Sequence, residues 1–234
     1  MVTELSSAEL ISAPLEVTGR LIDASNATLY AEAKIGEVDV ACIYKPVAGE
    51  RPLWDFPDGT LANREYAAYL ISEISGLHVV PLTVLRDGPF GFGAVQQWIN
   101  IDESIDLALF FREDNPALRK IALFDAIVNN TDRKIGHLLP LSNEVVLGCD
   151  HGVTFHSEDK LRTVLWQWSG DKFTGEEIAL LDNLLAKIAA NAELKELITE
   201  SEIAALEDRI NSLISAGTFP TPSDEWPSIP WPPF

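Results

Sequence analysis

The sequence lacks several features that would define other classes of protein. No uninterrupted apolar run approaches the length of about 18 residues that crosses a bilayer as a helix. There are only two cysteines among 234 residues, Cys42 and Cys149, and both lie in apolar stretches, which predicts buried thiols rather than a disulfide framework. Basic residues are also scarce, because 17 Lys and Arg face 36 Asp and Glu, a formal net charge of −19. That charge disfavours nucleic-acid binding and contact with anionic membranes.

Familiar catalytic and targeting signatures are missing as well. The sequence contains neither a G-x-S-x-G nucleophile elbow nor a G-x-x-x-x-G-K-[ST] phosphate loop. The first five residues lack the basic segment that opens a signal peptide, so we expect a cytoplasmic location. With 47% hydrophobic residues the chain is too apolar for disorder and long enough to bury its own core.

The pattern of apolar residues divides the chain into a strand-rich first part and a helical second part. Strands are predicted over 15–22, 27–35, 38–44, 79–85 and 92–99, with one helix over 60–75. Helices are predicted over 103–112, 116–129, 174–190 and 201–215. Six prolines and two tryptophans, Trp226 and Trp231, predict that the last residues form an extended strap pinned by the indoles. We therefore expect one α+β domain over 1–234, with a β-rich N-lobe (1–102), a mainly helical C-lobe (103–219) and a C-terminal strap (220–234).

The densest group of reactive side chains follows the apolar helix of the second part. Asp132, Lys134 and His137 come just after its end, and a short apolar run then leads to Asp150. Phosphoryl transfer from ATP needs a carboxylate for the attacking hydroxyl, a lysine near the transferred group, and a second carboxylate with a loop side chain for the metal. The spacing D-x-K-x-x-H differs in its last residue from the D-x-K-x-x-N catalytic loop of protein kinases. Asp125, inside the apolar stripe of the helix, is interpreted as a structural hydrogen-bonding residue.

The first part supplies groups that such a site still needs. Lys45 ends an apolar strand and resembles the phosphate-binding lysine on the third strand of a kinase. Glu65, on the single helix of that part, is its candidate ion-pair partner. Gln96 and Gln97 are predicted to lie at the hinge between the two lobes, where backbone groups would form hydrogen bonds with adenine.

These residues and their neighbours carry a resemblance to a known family. The segments concerned are Tyr44-Lys45-Pro46, 49–57, Arg64-Glu65, Asn130-Thr131-Asp132-Arg133, Asp150-His151-Gly152, 160–164 and Pro230-Trp231-Pro232. Over residues 15–234 the chain resembles the bacterial, actinobacterial-type phosphatidylinositol 3-/4-kinase-like family of the protein-kinase-like superfamily. The resemblance implies a two-lobed kinase-like fold, with Lys45 on the ATP phosphates, Asp132 as the catalytic aspartate and Asp150 as a metal ligand.

Three features depart from the pattern of that family. His137 stands where the wider family has a metal-binding Asn, and imidazole suits Mn²⁺ better than Mg²⁺, so the expected cofactors are ATP with Mg²⁺ or Mn²⁺. His151 replaces the Asn of an Asp-Asn-Gly motif. The stretch 23–28 contains no glycine, although Ser25 and Asn26 can contact phosphate through backbone N–H groups and side chains.

The leading hypothesis is an ATP- and metal-dependent phosphotransferase. It would move the γ-phosphoryl group to a hydroxyl of a small, inositol-like molecule, of a lipid head group or of a protein. Asp132 and Lys134 would be catalytic, and Asp150 and His137 would hold the metal. Lys160 and Arg162 would face the acceptor, which their charge predicts to be anionic.

Other interpretations stay open at this point. Asp132 also fits a helix-end turn, Lys45 the end of an ordinary strand, and Glu65 a solvated helix face. A pseudokinase-type nucleotide-binding module, or AMP transfer on the same fold, would use the same residues. A hydrolase that uses zinc or another transition metal, held by Asp150 with His137, His151 and His156, is a further alternative, although no H-x-H or H-x-x-x-H pair supports it.

Overall fold

The N-terminal part is built on an antiparallel sheet. The computed structural model of the protein describes residues 5–21 and 26–234. Five strands are arranged in the order β1-β2-β3-β5-β4: β1 (Leu15–Arg20), β2 (Leu29–Ile35), β3 (Val38–Pro46), β4 (Thr83–Gly88) and β5 (Gly91–Gln97). Gly36 lies in the turn between β2 and β3 and has a φ of 63°, a conformation that glycine adopts without steric cost.

Successive side chains along the strands point to opposite faces of the sheet, so that one face packs against the core of this part and the other faces away from it. Ala31 and Ala33 of β2 and Cys42 and Tyr44 of β3 are fully buried, and they pack with Leu10 of a short helix, α1 (Ser7–Ser12). Lys45 follows Tyr44 and therefore projects from the opposite face of the sheet. The predicted burial of Cys42 is confirmed, whereas Cys149 is partly exposed, and both thiols are free.

One long helix joins the sheet to the rest of the molecule. Helix α2 (Leu61–Ser75) matches the helix predicted over 60–75 and ends at Gly76, which is in the left-handed conformation. Its Ala67, Ala68 and Ile71 enter the main hydrophobic core of the helical part. Because α2 contacts both parts, a side chain on its first two turns can complete a site between them.

The C-terminal part is mainly helical. Its helices are α3 (Leu107–Phe110), α4 (Pro116–Val128), α5 (Gly175–Ala190), α6 (Leu194–Leu197) and α7 (Glu200–Ala216), with a small hairpin of β6 (Leu138–Pro140) and β7 (Val146–Gly148). Helix α4 matches the helix predicted over 116–129, and the side chain of Asn115 caps its first turn beside Pro116. Within the described ranges, no helix is long and apolar enough to cross a membrane.

The predicted architecture is confirmed: a β-sheet part precedes a helical part. The helix predicted over 103–112 is wrong for most of its length, because only Leu107–Phe110 is helical. Ser104 bonds to the carboxylate of Asp102 through both its backbone N–H and its hydroxyl, and this local turn competes with helix formation. Helix α1, which the sequence reading missed, begins with a capping box between Ser6 and Glu9.

The last residues, from 220 onward, form no helix or strand and lie against the helical part. The backbone N–H of Thr163 donates to Ser228 O at 3.0 Å, and that of Ile135 donates to Pro233 O at 2.8 Å. Trp226 stacks against Trp54, with 6.5 Å between ring centroids. Trp231 is 86% exposed, so the prediction that it pins this segment is wrong.

Candidate active site

A cavity of about 480 Å³ is lined by residues from both parts of the molecule. Its volume lies in the range of small-molecule sites, about 300–1,000 Å³. Five of the site residues predicted from the sequence line it: Asn26, Lys45, Glu65, Asp132 and Asp150. These residues come from a loop, a strand, a helix and two further loops, so their meeting depends on the fold.

Lys45 lies between two carboxylates. Its ammonium group donates to Glu65 Oε1 and, at 2.9 Å, to Asp150 Oδ1. Burial disfavours its charged form, but Asp150 and Glu65 outweigh burial and raise the pKa of Lys45. The charge of Lys45 in turn holds the pKa of Asp150 well below its usual range. One ammonium and two carboxylates leave this group with an excess negative charge at the cavity.

Glu65 is fixed independently of Lys45. Its side chain is almost fully buried, and Oε2 accepts a hydrogen bond from the backbone N–H of His151 at 3.0 Å. Burial raises the pKa of Glu65, against the opposing effect of Lys45. Glu65 therefore ties helix α2 to the segment that carries Asp150.

The backbone at Asp150 is in the left-handed region, with φ of 61°. This conformation is uncommon for a residue with a β-carbon and often marks a functional position. One carboxylate oxygen faces Lys45, and the other lies 3.4 Å from Nε2 of His137. The side chain is still 52% exposed, so its oxygens remain accessible from the cavity.

His137 and Asp150 are the candidate metal ligands. Burial lowers the pKa of His137 to about 4, so its imidazole is neutral at pH 7 and keeps a lone pair for a metal. In the part of the chain that the structure describes, no group of three or more His, Cys, Asp or Glu side chains is placed to hold a metal ion. A two-residue donor set suits an ion that takes its other ligands from phosphates and water, as Mg²⁺ commonly does.

The loop after α4 is held by a fully buried ion pair. Arg133 contacts both carboxylate oxygens of Asp125 at 2.9–3.2 Å, and both side chains have 0% exposure. Asp125 also accepts a hydrogen bond from the amide of Asn130 at 2.9 Å. The interpretation of Asp125 as a structural hydrogen-bonding residue is confirmed, whereas the sequence reading missed the role of Arg133.

This network positions Asp132 and the histidine that follows Asp150. Asn130 Oδ1 accepts from the backbone N–H of Asp132 at 3.0 Å, and Arg133 Nη2 lies 2.6 Å from His151 Nε2. Burial raises the pKa of Asp132, while the nearby charge of Lys134 opposes that change. Lys134 Nζ lies 3.4 Å from Asp132 Oδ2, so the two predicted catalytic side chains meet, although Lys134 does not line the cavity.

The predicted nucleotide residues outside this group are only partly brought to the cavity. Ser25 lies outside the described residues. Asn26 lines the cavity, and its Oδ1 accepts from the backbone N–H of Arg51 at 2.8 Å. Gln96 and Gln97 do not line it, because β5 lies between two neighbouring strands and the side chain of Gln96 donates to Thr83 at 2.8 Å.

Glu50 is a contributor that the sequence reading missed. Its carboxylate accepts from the backbone N–H groups of Leu61 and Ala62 at 3.2 and 2.9 Å and thereby caps helix α2. Thr60, the residue in the N-cap position, makes no side-chain capping bond. Glu50 therefore sets the start of the helix that carries Glu65, and the S/T-x-x-E pattern that usually marks such a cap is absent there.

Comparison with solved structures identifies the fold. The chain is similar to the crystal structure of the Helicobacter pylori proinflammatory kinase CtkA, with a TM-score of 0.50 and 12% identity. The match covers 90% of this chain and 94% of that one. The protein therefore has a kinase-like fold, which confirms the predicted fold class.

Sequence comparison identifies the family. No family model matches the chain. It is 40% identical to Protein Rv2133c of Mycobacterium tuberculosis over 265 aligned positions, which cover 97% of this chain and 95% of that protein. The chain belongs to the family of Protein Rv2133c.

Proposed function

We propose that the protein is an ATP- and metal-dependent phosphotransferase that moves the γ-phosphoryl group to a hydroxyl. The observation that carries this proposal is the group formed by Lys45, Glu65 and Asp150, with Asp132 lining the same cavity. Lys45 and Asp150 are 105 positions apart in the chain. A lysine fixed by a helix glutamate, next to two aspartates, is the arrangement that phosphoryl transfer uses.

Each side chain has a proposed role in binding or proton transfer. Lys45, oriented by Glu65, binds the α- and β-phosphates. Asp132 orients the acceptor hydroxyl and accepts its proton, and Lys134 offsets charge near the transferred group. Asp150 and His137 would hold a divalent ion, which neutralises charge between the phosphates when bound.

The finer class is proposed from the sequence resemblance. The motifs around Lys45, Asp132 and Asp150 resemble those of the bacterial phosphatidylinositol 3-/4-kinase-like family, so an inositol-like compound, a lipid head group and a protein are the candidate acceptors. The kinase-like fold that the chain has in common with CtkA supports phosphoryl transfer in general and does not select among them.

The test is ATP turnover in a metabolite extract. With Mg²⁺ or Mn²⁺ present, we expect one compound to gain the mass of one phosphate while ³¹P spectra show ADP. Asp132→Asn should abolish the gain, whereas Asp182→Asn, at an exposed position of α5, should leave it unchanged. Release of AMP instead of ADP would replace this proposal by AMP transfer, and normal turnover by Asp132→Asn would refute the assignment of Asp132.

A second candidate is a nucleotide-binding module without transfer. The imidazole of His137 favours it, since Mg²⁺ prefers oxygen ligands and would be held more weakly beside a nitrogen donor. In that case ATP should raise the melting temperature of the protein without any loss of ATP over hours. Consumption of ATP that depends on Asp132 and Asp150 would exclude this candidate.

A further inference from the structure

The cavity has a second group of lining residues that the proposed ATP chemistry does not use. Two tryptophans, Trp54 and Trp226, lie beside two basic residues, Lys160 and Arg162. Trp54 precedes helix α2, whereas Trp226 belongs to the C-terminal segment that follows the last helix. We call Trp54, Trp226 and Lys160 the aromatic wall.

Lys160 already has its charge matched within the protein. Its ammonium group lies 4.8 and 4.7 Å from the ring centroids of Trp54 and Trp226. It is 3.0 Å from a carboxylate oxygen of Glu158 and 3.5 Å from one of Asp55. With 4% of its side chain exposed, Lys160 holds the wall together and has little surface left for a ligand.

Arg162 is different, because its side chain makes no hydrogen bond or ion pair with any of the residues that the structure describes. Its backbone is fixed on both sides of the catalytic loop: its N–H donates to Asn130 O at 2.9 Å, and its carbonyl accepts from Arg133 N at 3.0 Å. Nε of Arg162 is buried without a hydrogen bond, and within the described residues the guanidinium makes no ion pair. By contrast, the buried guanidinium groups of Arg64 and Arg133 are both paired with carboxylates.

An unpaired guanidinium in a cavity is a site for an anion. A buried donor without a partner carries a free-energy cost that a bound acceptor removes. The planar guanidinium matches the oxygens of a phosphate in a bidentate contact. Arg162 is positioned by the same backbone segment as Asp132, so an anion held there would place the rest of its molecule near the catalytic aspartate.

We propose that Arg162 and the aromatic wall form the acceptor subsite, and that the acceptor is a soluble polyol carrying a phosphate monoester. This inference rests on the proposed function and names its acceptor class. Arg162 binds the phosphate, and the indoles of Trp54 and Trp226 pack against the carbon skeleton. The net charge of −19 opposes a membrane as the source of that phosphate.

The C-terminal segment is then part of the site. Ser228 O accepts from the backbone N–H of Thr163 at 3.0 Å and from Nε1 of Trp166 at 2.9 Å, which fixes the segment two residues after Trp226. Thr163 directly follows Arg162. These hydrogen bonds therefore fix the position of Trp226 relative to that of Arg162.

Binding calorimetry without ATP tests the subsite. The probes are glucose 6-phosphate and, as its matched neutral partner, glucose. We expect the wild-type protein to bind the phosphate ester and not the sugar, and Arg162→Met to bind it at least about tenfold more weakly, the loss expected for a charge-assisted contact. Equal binding of the two probes, no binding of either, or unchanged affinity of Arg162→Met would overturn the proposal.

Paired variants test the wall and the source of the phosphate. Trp226→Ala should weaken binding of glucose 6-phosphate, whereas Trp231→Ala, in the same segment but exposed, should not. Equal losses in these two variants would contradict a specific role of Trp226.

Vesicles containing phosphatidic acid should not bind the protein, and their Arg162-dependent binding would refute a soluble acceptor.

The outcomes also separate this subsite from the ATP site. Lys45→Met should leave the affinity for glucose 6-phosphate unchanged, and a loss as large as that of Arg162→Met would place the phosphate at the ATP site instead. If the ester binds through Arg162 but no ATP is consumed, the proposed transfer fails while the anion site stands. If ATP phosphorylates an uncharged acceptor independently of Arg162, the transfer stands and the subsite fails.

Discussion

Two ionic networks lie within a few residues of each other and differ in how completely they are satisfied. Arg133 and Asp125 form a closed network of one cation and one anion, both fully buried. Lys45, Glu65 and Asp150 form an open network of one cation and two anions, and Asp150 is half exposed. The closed network has all its charge matched and holds the loop that carries Asp132, whereas the open one keeps a carboxylate available for a ligand.

The largest expected effect comes from breaking the closed network. Arg133→Met leaves the carboxylate of Asp125 buried without its cation, and such a loss typically destabilises a protein by about 3–5 kcal/mol. Urea unfolding followed by circular dichroism measures the change. As a control, Arg133→Met combined with Asp125→Leu should be less destabilised than Arg133→Met alone, since no charge is then left unpaired. A single variant as stable as the wild type would show that the loop is held by other contacts.

Breaking the open network should affect activity and leave stability nearly unchanged. Asp150→Asn removes the accessible carboxylate that would hold the metal, and losing such electrostatic stabilisation of the transferred group lowers turnover by about 10²–10³-fold. Because this side chain is half exposed, the free energy of unfolding should change by no more than about 1 kcal/mol. ATP turnover and urea unfolding are measured on the same preparation. A large loss of stability with retained turnover would mean that the two networks have the opposite roles.

Lys45→Met removes the cation of the open network and leaves its two carboxylates in place. ATP affinity should fall about tenfold or more, as expected for loss of a charged hydrogen-bonding partner. We also expect the stability of this variant to depend on pH through Glu65. Burial already raises the pKa of Glu65 above 4.5. Without Lys45 that pKa rises further, so the folded state holds a proton that the unfolded state releases above pH 4.5.

The difference in stability should therefore grow with pH. The folded variant keeps the proton of Glu65 to a higher pH than the folded wild type does, so the variant should lose stability relative to the wild type as the pH rises from about 4.5 to 7. Urea unfolding at pH 5 and pH 7.5 measures this trend. If the two proteins differ by the same free energy at both pH values, Glu65 does not titrate as its burial predicts.

The residues that the sequence could place are those whose signals are local. Helix α4 was predictable from its apolar period and the cap at Asn115, and Asp125 from being the one acid in an apolar stripe. The order of Lys45, Asp132 and Asp150 along the chain predicted their chemistry, although only the fold shows that Lys45 contacts Asp150.

The residues that it could not place depend on pairing at a distance. Glu50 caps a helix that begins eleven residues later. Arg133 is paired with a buried carboxylate, whereas Arg162 is unpaired among the described residues, and the sequence around two arginines does not reveal this difference. Gln96 turns its amide to Thr83 of the neighbouring strand. Trp226 and Trp231 share a proline-rich segment without periodicity, so nothing local indicates which indole is covered.

The smallest expected effect concerns the metal that the open network favours. His137 is neutral at pH 7, because burial lowers its pKa to about 4, and neutral imidazole binds Mn²⁺ more readily than Mg²⁺. His137→Asn supplies an amide oxygen, a donor that suits Mg²⁺, at the position nearest to Asp150 Oδ2. We expect the ratio of turnover with Mg²⁺ to turnover with Mn²⁺ to rise several-fold while the closed network and the stability stay unchanged. His156→Asn, which changes another histidine that contacts Lys160 and not Asp150, is the matched control and should leave the ratio unaltered. If both substitutions shift the ratio alike, or if neither does, then His137 is not a ligand and Asp150 holds the ion with phosphate oxygens and water alone.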